Sequence, residues 1–239
     1  VSLGMNLLPT DGKLCSFNCI YCECGLNENH RTRSKLPTRA EVKEALIHKL
    51  SSMQAEGVAP DVITFAGNGE PTMHPEFAGI IDDTIETRNR FFPKAKIAVL
   101  SNSTMLYKED VFQALNKIED NILKLDSISD SRIGQLNVPN SPAFTFDRLL
   151  EQLCRFNGNL IIQTMFLKGE VNGESVTNTT EHEISGWLEA LKQIKPKQVM
   201  IYTIDRETPV KNLKKVTKDE LEAIADRARQ EGFEVMVSA

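Results

Sequence analysis

The sequence predicts an α/β fold with parallel strands, and three observations support this prediction. Short apolar runs alternate with amphipathic stretches along the chain. Successive runs lie roughly 25 to 40 residues apart, which leaves room for one helix between neighbouring strands. Helix start signals fall between the runs. The predicted strands are Leu3–Leu8, Val62–Ala66, Ile97–Ser101, Ile122–Asp126, Leu160–Phe166, Val199–Ile204 and Glu234–Val237.

The amphipathic stretches carry the signals of helix ends. Thr38–Glu41 and Thr217–Glu220 each fit a capping box, in which the Thr and Glu side chains bond backbone amides at the start of a helix. Apolar residues recur at helical spacing across Ile184–Ile194. Gly57 and Gly232 stand where a helix end favours a left-handed residue. Because a parallel neighbour is reached only through a crossover, this alternation of strands and helices predicts a parallel sheet.

Polar residues follow the predicted strands at their carboxyl ends. They are Cys15–Cys22 after the first strand, Gly67–Glu70 after the second, Ser101 and Asn102 after the third, Asp126 at the end of the fourth, and Gln163 and Thr164 within the fifth. An open doubly wound sheet also fits the strand pattern, but the rim of one βα barrel would gather all these residues. The segments 127–144, 169–180 and 206–216 are predicted as loops over that rim, where specificity is usually determined.

Composition limits the classes of protein that the chain can belong to. Its 239 residues, 41% of them hydrophobic, can bury one core, so we expect a single domain spanning residues 1–239. No apolar run approaches the roughly 18 residues of a membrane span, so we expect a soluble protein that does not contact a membrane. The net charge of -5 disfavours a nucleic-acid partner. Most of the five cysteines cluster near the start of the chain, which fits a metal site in a reducing cytoplasm.

Three cysteines, Cys15, Cys19 and Cys22, stand in the spacing C-x3-C-x2-C. Three thiolates in one short loop can hold three corners of a cubane iron–sulfur cluster and leave its fourth iron open. A disulfide framework is disfavoured because the chain is long and begins with no signal-peptide pattern. A structural zinc site stays open as an alternative, although such sites normally bring a second ligand pair. Here His30 lies eight residues after Cys22, and no second ligand pair is present. Cys24 stands so close to Cys22 that we expect it to point away from a shared metal.

The cysteine loop reads Cys-Ser-Phe-Asn-Cys-Ile-Tyr-Cys across Cys15–Cys22, and it resembles the signature of the radical S-adenosylmethionine (SAM) superfamily. The turn Gly-Asn-Gly-Glu-Pro-Thr across Gly67–Thr72 is similar to the Gly-Gly-Glu motif of the same superfamily. The resemblance implies a partial (β/α)6 barrel with parallel strands. It also implies a [4Fe-4S] cluster held by the three cysteines, with SAM bound on the open iron.

The resemblance further implies a set of SAM contacts. Gly67 and Gly69 would let the backbone approach the ligand, and Glu70 would accept hydrogen bonds from the methionine ammonium. The other implied contacts are Tyr21 beside the adenine, Ser101 and Asn102 after the third strand, Asp126 and Gln163 near the ribose hydroxyls or the carboxylate, and Lys124 as the carboxylate partner. For the residues at the ends of the third to fifth strands, ordinary strand-end capping remains the alternative. Period-two alternation puts Lys124 and Asp126 on the same face, so both point inward or neither does.

The implied activity is reductive cleavage of SAM to a 5'-deoxyadenosyl radical, which abstracts hydrogen from an unidentified small molecule, peptide or protein. The implied partner is a low-potential electron donor of the flavodoxin or ferredoxin type, and the reaction class, whether oxidoreductase, transferase or lyase, stays open. Further segments, including Gly69–Pro75 and Tyr202–Arg206, look like a group of small single-cluster radical SAM proteins related to the tRNA wyosine-synthesis enzymes. A tRNA-modifying enzyme and a noncatalytic zinc or iron–sulfur module are therefore the alternatives. Arg31, Arg33, Arg206 and Lys211 are candidates for binding an anionic substrate.

Overall fold

Strands and helices alternate along the chain as predicted, in a computed structural model that describes residues 1–27 and 34–239. The strands are β1 (Ser2–Met5), β2 (Val62–Phe65), β3 (Lys96–Ser101), β4 (Asp120–Lys124), β5 (Ile161–Met165), β6 (Leu167–Val171), β7 (Glu174–Ser175), β8 (Gln198–Tyr202), β9 (Leu213–Lys215) and β10 (Val235–Ser238). The α-helices are α1 (Arg39–Ala55), α2 (Phe77–Phe91), α3 (Glu109–Asn116), α4 (Asp130–Leu136), α5 (Phe146–Cys154), α6 (Glu181–Ile194) and α7 (Lys218–Gln230).

Seven strands form one sheet in the order β1-β2-β3-β4-β5-β8-β10. The pairing is parallel between β1 and β2, where Ser2 lies opposite Val62, and between β2 and β3. It is also parallel between β5 and β8, where Ile161 lies opposite Gln198, and between β8 and β10. The predicted parallel α/β fold is therefore confirmed.

The predicted helix ends are found where the sequence signals them. Both capping boxes form: the Thr38 and Thr217 hydroxyls accept from the third backbone amide of α1 and α7, and each box's glutamate accepts from the capping threonine's own amide. Gly57 and Gly232 take positive φ values of 70° and 92° after these helices. Among the described residues, no helix is long and apolar enough to cross a membrane.

The chain divides into two compact units. The first contains Val1–Cys15, the described residues from 34 to 101, and Met105–Ile122. Its buried centre includes Leu50, Ile63 and Phe65, which lie on α1 and β2. Helices α1 and α2 of this unit are also joined by an ion pair, in which Arg39 Nε lies 2.6 Å from Asp83 Oδ2.

The second unit contains residues 16–27, Asn102–Thr104 and Leu123–Ala239. Its core is organised around Trp187 of α6, which is 2% exposed. The indole meets the ring of Phe166 edge to face at a centroid distance of 5.4 Å. Its Nε1–H donates to Thr164 Oγ1 at 3.0 Å, so the one polar atom of this large side chain is satisfied where it is buried.

Each predicted loop contains some regular secondary structure. Helix α4 lies within 127–144, while β6, β7 and β9 form a small antiparallel sheet in the order β7-β6-β9. Strands β6 and β7 turn at Asn172 and Gly173, with φ values of 53° and 82°. This is the Asn-Gly pair that favours a two-residue hairpin turn, because both residues accept a positive φ. The interpretation of 169–180 as a loop was wrong where it overlooked this pair.

Candidate functional site

The first cysteine of the loop follows a segment that the Gly67–Thr72 turn holds in place. Leu14 N–H donates to Asn68 O at 3.3 Å, and Glu70 N–H donates to Leu14 O at 3.0 Å. A Cβ at Gly69 would lie 1.8 Å from the Leu14 carbonyl oxygen. The side chain of Asn68 adds hydrogen bonds from its Nδ2 to the carbonyl oxygens of two residues just upstream. Position 69 therefore requires glycine because a larger residue would clash with the backbone of Leu14, the residue directly before Cys15.

Glu70 is buried, with 2% of its surface exposed, and its carboxylate is held by donors from two elements. Its Oε1 accepts from Thr72 N at 3.0 Å, from Thr72 Oγ1 at 2.5 Å and from Ser101 Oγ at 2.9 Å. The structure therefore brings together Glu70 and Ser101, two residues predicted from different strand ends. Three donors on one oxygen stabilise the ionised carboxylate and fix its orientation.

The remaining cysteines of the loop belong to the second unit, where the end of α4 fixes their backbone. Asn18 N–H donates to Asn137 O at 2.9 Å, and Ile20 N–H donates to Leu136 O at 3.0 Å. Asn140 N–H donates to Ser16 O at 2.9 Å, which continues the pairing along the loop. The segment 127–144, predicted as a loop over the rim, thus contains α4 and supports the cysteine loop.

A buried polar cluster surrounds Cys19. Lys124 Nζ donates to Tyr202 Oη at 2.9 Å and lies 3.6 Å from Asp126 Oδ1. The other carboxylate oxygen of Asp126 accepts from Tyr21 Oη and, at 2.7 Å, from Asn137 Nδ2. The Lys124 and Asp126 side chains are 14% and 0% exposed. The predicted residues Tyr21, Lys124 and Asp126 therefore lie together, and Lys124 and Asp126 share one face as the strand alternation required.

Burial and charge shift the protonation equilibria of this cluster. Burial is the main cause that raises the pKa of the Cys19 thiol to about 11, against a smaller opposing effect of the Lys124 charge. For Lys124, burial is the largest single effect and lowers the pKa, but the Asp126 carboxylate together with Tyr202 and Cys19 more than offsets it, so the net pKa is raised. Burial, followed by the Asp126 charge, also raises the pKa of Tyr21. Lys124 is thus a fixed cation at neutral pH, while Tyr21 stays neutral.

Two further predicted contacts have defined surroundings. Asn102 Nδ2 donates to Ser16 Oγ at 2.9 Å, and its Oδ1 accepts from Thr104 Oγ1 at 2.7 Å, so this side chain ties the start of the cysteine loop to the end of the third strand. Gln163 lies in β5 beside Thr164, which bonds the indole of α6. Because side chains alternate along a strand, Gln163 projects to the opposite face from Thr164.

Sequence reasoning missed two members of the cluster around Cys19. Tyr202 ends β8, and its ring centroid lies 5.4 Å from Lys124 Nζ, nearly the same as the 5.5 Å to the Tyr21 ring. The ammonium is therefore flanked by two aromatic rings. Asn137 stands at the C-cap of α4. The sequence around Asn137 carries no signal of its role, since Cys19 and Tyr21, which its side chain contacts, lie 118 and 116 residues away.

Other candidates contribute less. His74 bonds Pro37 O through Nε2 at 2.8 Å and accepts from Glu76 N–H through Nδ1 at 3.1 Å, as expected of a residue with a local capping role. Cys154 is half-buried in α5, away from the cysteine loop in the sequence. Arg206 pairs with Glu23 at 3.0 Å on the surface. The predicted residues His30, Arg31 and Arg33 lie outside the described residues.

The cysteines fit an iron–sulfur cluster by their chemistry. All five lie in the described part of the chain, and none forms a disulfide. Within residues 1–27 and 34–239, no three His, Cys, Asp or Glu side chains are grouped as ligands of one metal ion. Two of the three thiols are half-exposed and the third receives an amide hydrogen bond on its sulfur, from Asn137 Nδ2 at 3.6 Å. Soft thiol donors in one loop, with a donor directed at a sulfur, suit such a cluster.

Comparison with proteins of known sequence gives relatives that are longer than this chain, and no protein-family model matches. The chain is 31% identical over 228 residues to a UPF0026 protein of Helicobacter pylori, a match that covers 92% of the chain and 67% of that protein. It is 27% identical over 225 residues to a Brachyspira hyodysenteriae protein named GTPase Obg, of which the match covers only 30%. The chain therefore spans about two thirds of the UPF0026 relatives and less than a third of the Brachyspira protein.

Solved structures with the same fold include a radical SAM methyltransferase and a protein bound to S-adenosylmethionine. SuiB of Streptococcus suis, bound to S-adenosylmethionine, superposes with a TM-score of 0.69 at 14% identity, over 100% of this chain and 50% of that one. A radical SAM methyltransferase from Sphaerobacter thermophilus gives 0.66 at 14% identity, over 94% and 63%. TYW1, bound to a lysine–pyruvate adduct, gives 0.62 at 16% identity, over 92% and 70%. At these identities the superpositions show that the chain shares the fold of these proteins.

Proposed function

Because this chain belongs to the UPF0026 protein family and has the fold of radical SAM proteins, we propose that it is a radical SAM enzyme. Its cluster would be a [4Fe-4S] cluster held by Cys15, Cys19 and Cys22, and its co-substrate S-adenosylmethionine. The observation that carries the proposal is the C-x3-C-x2-C loop on this fold. Residues 1–239 would form the catalytic core. When bound, the cluster would supply the electron for reductive cleavage of SAM to a 5'-deoxyadenosyl radical, which would abstract hydrogen from the substrate.

Glu70 is the proposed acceptor for the methionine ammonium. Its carboxylate is buried and is oriented by Thr72 and Ser101, so little side-chain entropy remains to be lost when a cation binds. A charge-assisted hydrogen bond between a buried carboxylate and an ammonium is about twice as strong as a neutral one. Gly67 and Gly69 precede this residue in the same turn and are proposed to let the backbone approach SAM.

Lys124 is the proposed partner of the methionine carboxylate. Burial lowers its pKa, but the Asp126 carboxylate together with Tyr202 and Cys19 raises it by more, so the side chain is a cation at neutral pH. Tyr21, Ser101, Asn102, Asp126 and Gln163 complete the proposed set of SAM contacts.

The substrate is proposed by class only: a small molecule, a peptide or a protein. A structure of SuiB contains a bound precursor peptide, which keeps a peptide among the candidates. The net charge of -5 gives little attraction for tRNA, so tRNA modification is the second candidate. An electron donor of the flavodoxin or ferredoxin type would reduce the cluster.

The test is anaerobic reconstitution of the chain with iron and sulfide. We expect the absorption and, after reduction, the electron paramagnetic resonance (EPR) signal of a cubane cluster, a change in that signal when SAM is added, and 5'-deoxyadenosine among the products. Cys19→Ala should abolish cluster and product together. Cys154→Ala is the matched control, since Cys154 lies in α5 outside the loop, and it should retain both.

Two outcomes would favour the alternatives. A colourless protein that carries stoichiometric zinc after purification would refute the enzyme proposal and support a noncatalytic module. A tRNA complex that weakens steeply with salt would point to the tRNA-modifying alternative, because phosphate contacts release counterions.

A further inference from the structure

Asn137 is the residue that links the buried polar cluster to a cysteine sulfur. It is 3% exposed and stands at the C-cap of α4. Its Nδ2 lies 3.6 Å from Cys19 Sγ, 3.0 Å from Tyr21 Oη and 2.7 Å from Asp126 Oδ2. Its backbone carbonyl separately accepts from Asn18 N–H at 2.9 Å. A side-chain substitution therefore removes the amide donor and leaves the backbone support of the cysteine loop in place.

Hydrogen bonds to the sulfurs are one of the means by which proteins set the reduction potential of an iron–sulfur cluster. An N–H donor stabilises the more negative, reduced cluster more than the oxidised one, so it raises the potential. On this basis we infer that Asn137 is a positioning residue whose amide raises the reduction potential of the cluster through the sulfur of Cys19. The inference rests on the proposed function, because it needs a cluster bound by the cysteine loop.

The surroundings of Asn137 explain why its amide is directed at that sulfur. The same Nδ2 that faces the sulfur also contacts the Asp126 carboxylate and the Tyr21 hydroxyl, so rotation of the side chain would break hydrogen bonds in a buried site. Asp126 is in turn held by Met165 N–H, which donates to its Oδ1 at 2.9 Å. Second-layer contacts of this kind orient metal ligands and tune the bound metal.

The experiment compares Asn137→Leu, which keeps much of the side-chain volume and removes both amide hydrogens, with the unaltered chain. Both proteins are reconstituted, and the midpoint potential is measured by redox titration followed by EPR. We expect reduction to become less favourable by about tenfold, the effect of one hydrogen bond. For a one-electron couple this is about 59 mV toward more negative potential. Asn137→Ser, whose hydroxyl is too short to reach the sulfur, should give the same direction and serves if the Leu variant does not fold.

Asn178→Ala is the matched control for loss of a buried asparagine. Asn178 is 1% exposed, and its Nδ2 donates to the carbonyl oxygens of Asp126 and Met165, both at 2.8 Å. Its substitution should lower stability while leaving the midpoint potential unchanged. An equal shift in this control would overturn the inference, since it would show that the potential follows general loosening of the unit.

The charge of Asp126 is the other route by which Asn137 can act, and a double-mutant cycle separates the two routes. In an Asp126→Asn background the carboxylate charge is gone, yet the amide of Asn137 still reaches the sulfur. The shift caused by Asn137→Leu should survive in that background, and its disappearance would overturn the sulfur contact as the cause. A cluster that forms with an unchanged potential in both Asn137 variants also refutes the inference while the proposed function stands. A chain that binds no cluster at all refutes the proposed function instead.

Discussion

Replacing Glu70 by glutamine should weaken SAM binding while leaving the cluster in place. The glutamine is isosteric, and its amide oxygen can still accept from Thr72 N–H and Ser101 Oγ, which the carboxylate now contacts at 3.0 and 2.9 Å. The local fold is therefore preserved. What is lost is the negative charge, in a site where Glu70 is 2% exposed and water screens it poorly.

The size of the loss follows from the kind of hydrogen bond involved. A bond to a charged partner contributes about 1.5–3 kcal/mol net. If Glu70 accepts from the methionine ammonium, removing the charge should raise the dissociation constant for SAM by about 10- to 150-fold. Substitution by alanine should cost at least as much, since it also leaves the hydroxyl of Ser101 without this acceptor.

The assay is equilibrium binding of SAM to the anaerobically reconstituted protein, by calorimetry or dialysis, with cluster content measured on the same samples. Thr72→Val is the control for a change in orientation alone, because it removes the hydroxyl that bonds Glu70 Oε1 at 2.5 Å, and it should weaken binding by less than the glutamine variant. A Glu70→Gln protein that holds a full cluster and binds SAM with unchanged affinity would refute the assignment of Glu70.

Three further outcomes are expected from other parts of the structure. Gly69→Ala should destabilise the first unit and lower cluster retention, because a Cβ there would lie 1.8 Å from Leu14 O; chemical denaturation and iron analysis measure both, and unchanged values would contradict this contact. Trp187→Phe removes a buried hydrogen bond and part of a ring, so the free energy of unfolding should fall by about 1–3 kcal/mol in urea titrations, and a smaller loss would mean that the core repacks. Asp83 has a lowered pKa because Arg39 donates to it, so its ionised form stabilises the folded chain above the usual carboxyl range and this stabilisation is lost as pH falls through the lowered pKa. Asp83→Asn should therefore make the free energy of unfolding depend less on pH in the acid range. An unchanged pH dependence would show that the pair contributes nothing.

The parts of the fold that depend on local sequence were predicted correctly. Capping boxes at Thr38 and Thr217 and left-handed glycines at Gly57 and Gly232 act within a few residues of themselves, so the chain encodes them directly. The parallel sheet followed from the spacing of apolar runs, because a crossover helix needs that length of chain. The hairpin at Asn172 was also encoded locally, and its two-residue signal was overlooked.

The support of the cysteine loop is a different kind of feature. Asn137 bonds Cys19 and Tyr21 across sequence separations of 118 and 116 residues. No periodicity or motif in one sequence specifies which distant side chain an asparagine will meet. Tyr202 meets Lys124 across 78 residues for the same reason. The sequence thus predicts the candidate cluster ligands, but not the distant side chains that contact them.

The ion pair of Lys124 and Asp126 is the feature that stability alone explains least well. Both side chains are largely removed from water, and the desolvation of two charges usually costs about as much as their attraction returns. The pair is nonetheless well satisfied, since Asp126 accepts from Asn137 and Met165 and Lys124 donates to Tyr202. An apolar pair of similar volume would pack equally well without the free energy needed to desolvate two charges. A buried, oriented cation beside the cysteine loop is better accounted for by an anionic group that it binds, and the carboxylate of SAM is the candidate that the proposed function supplies.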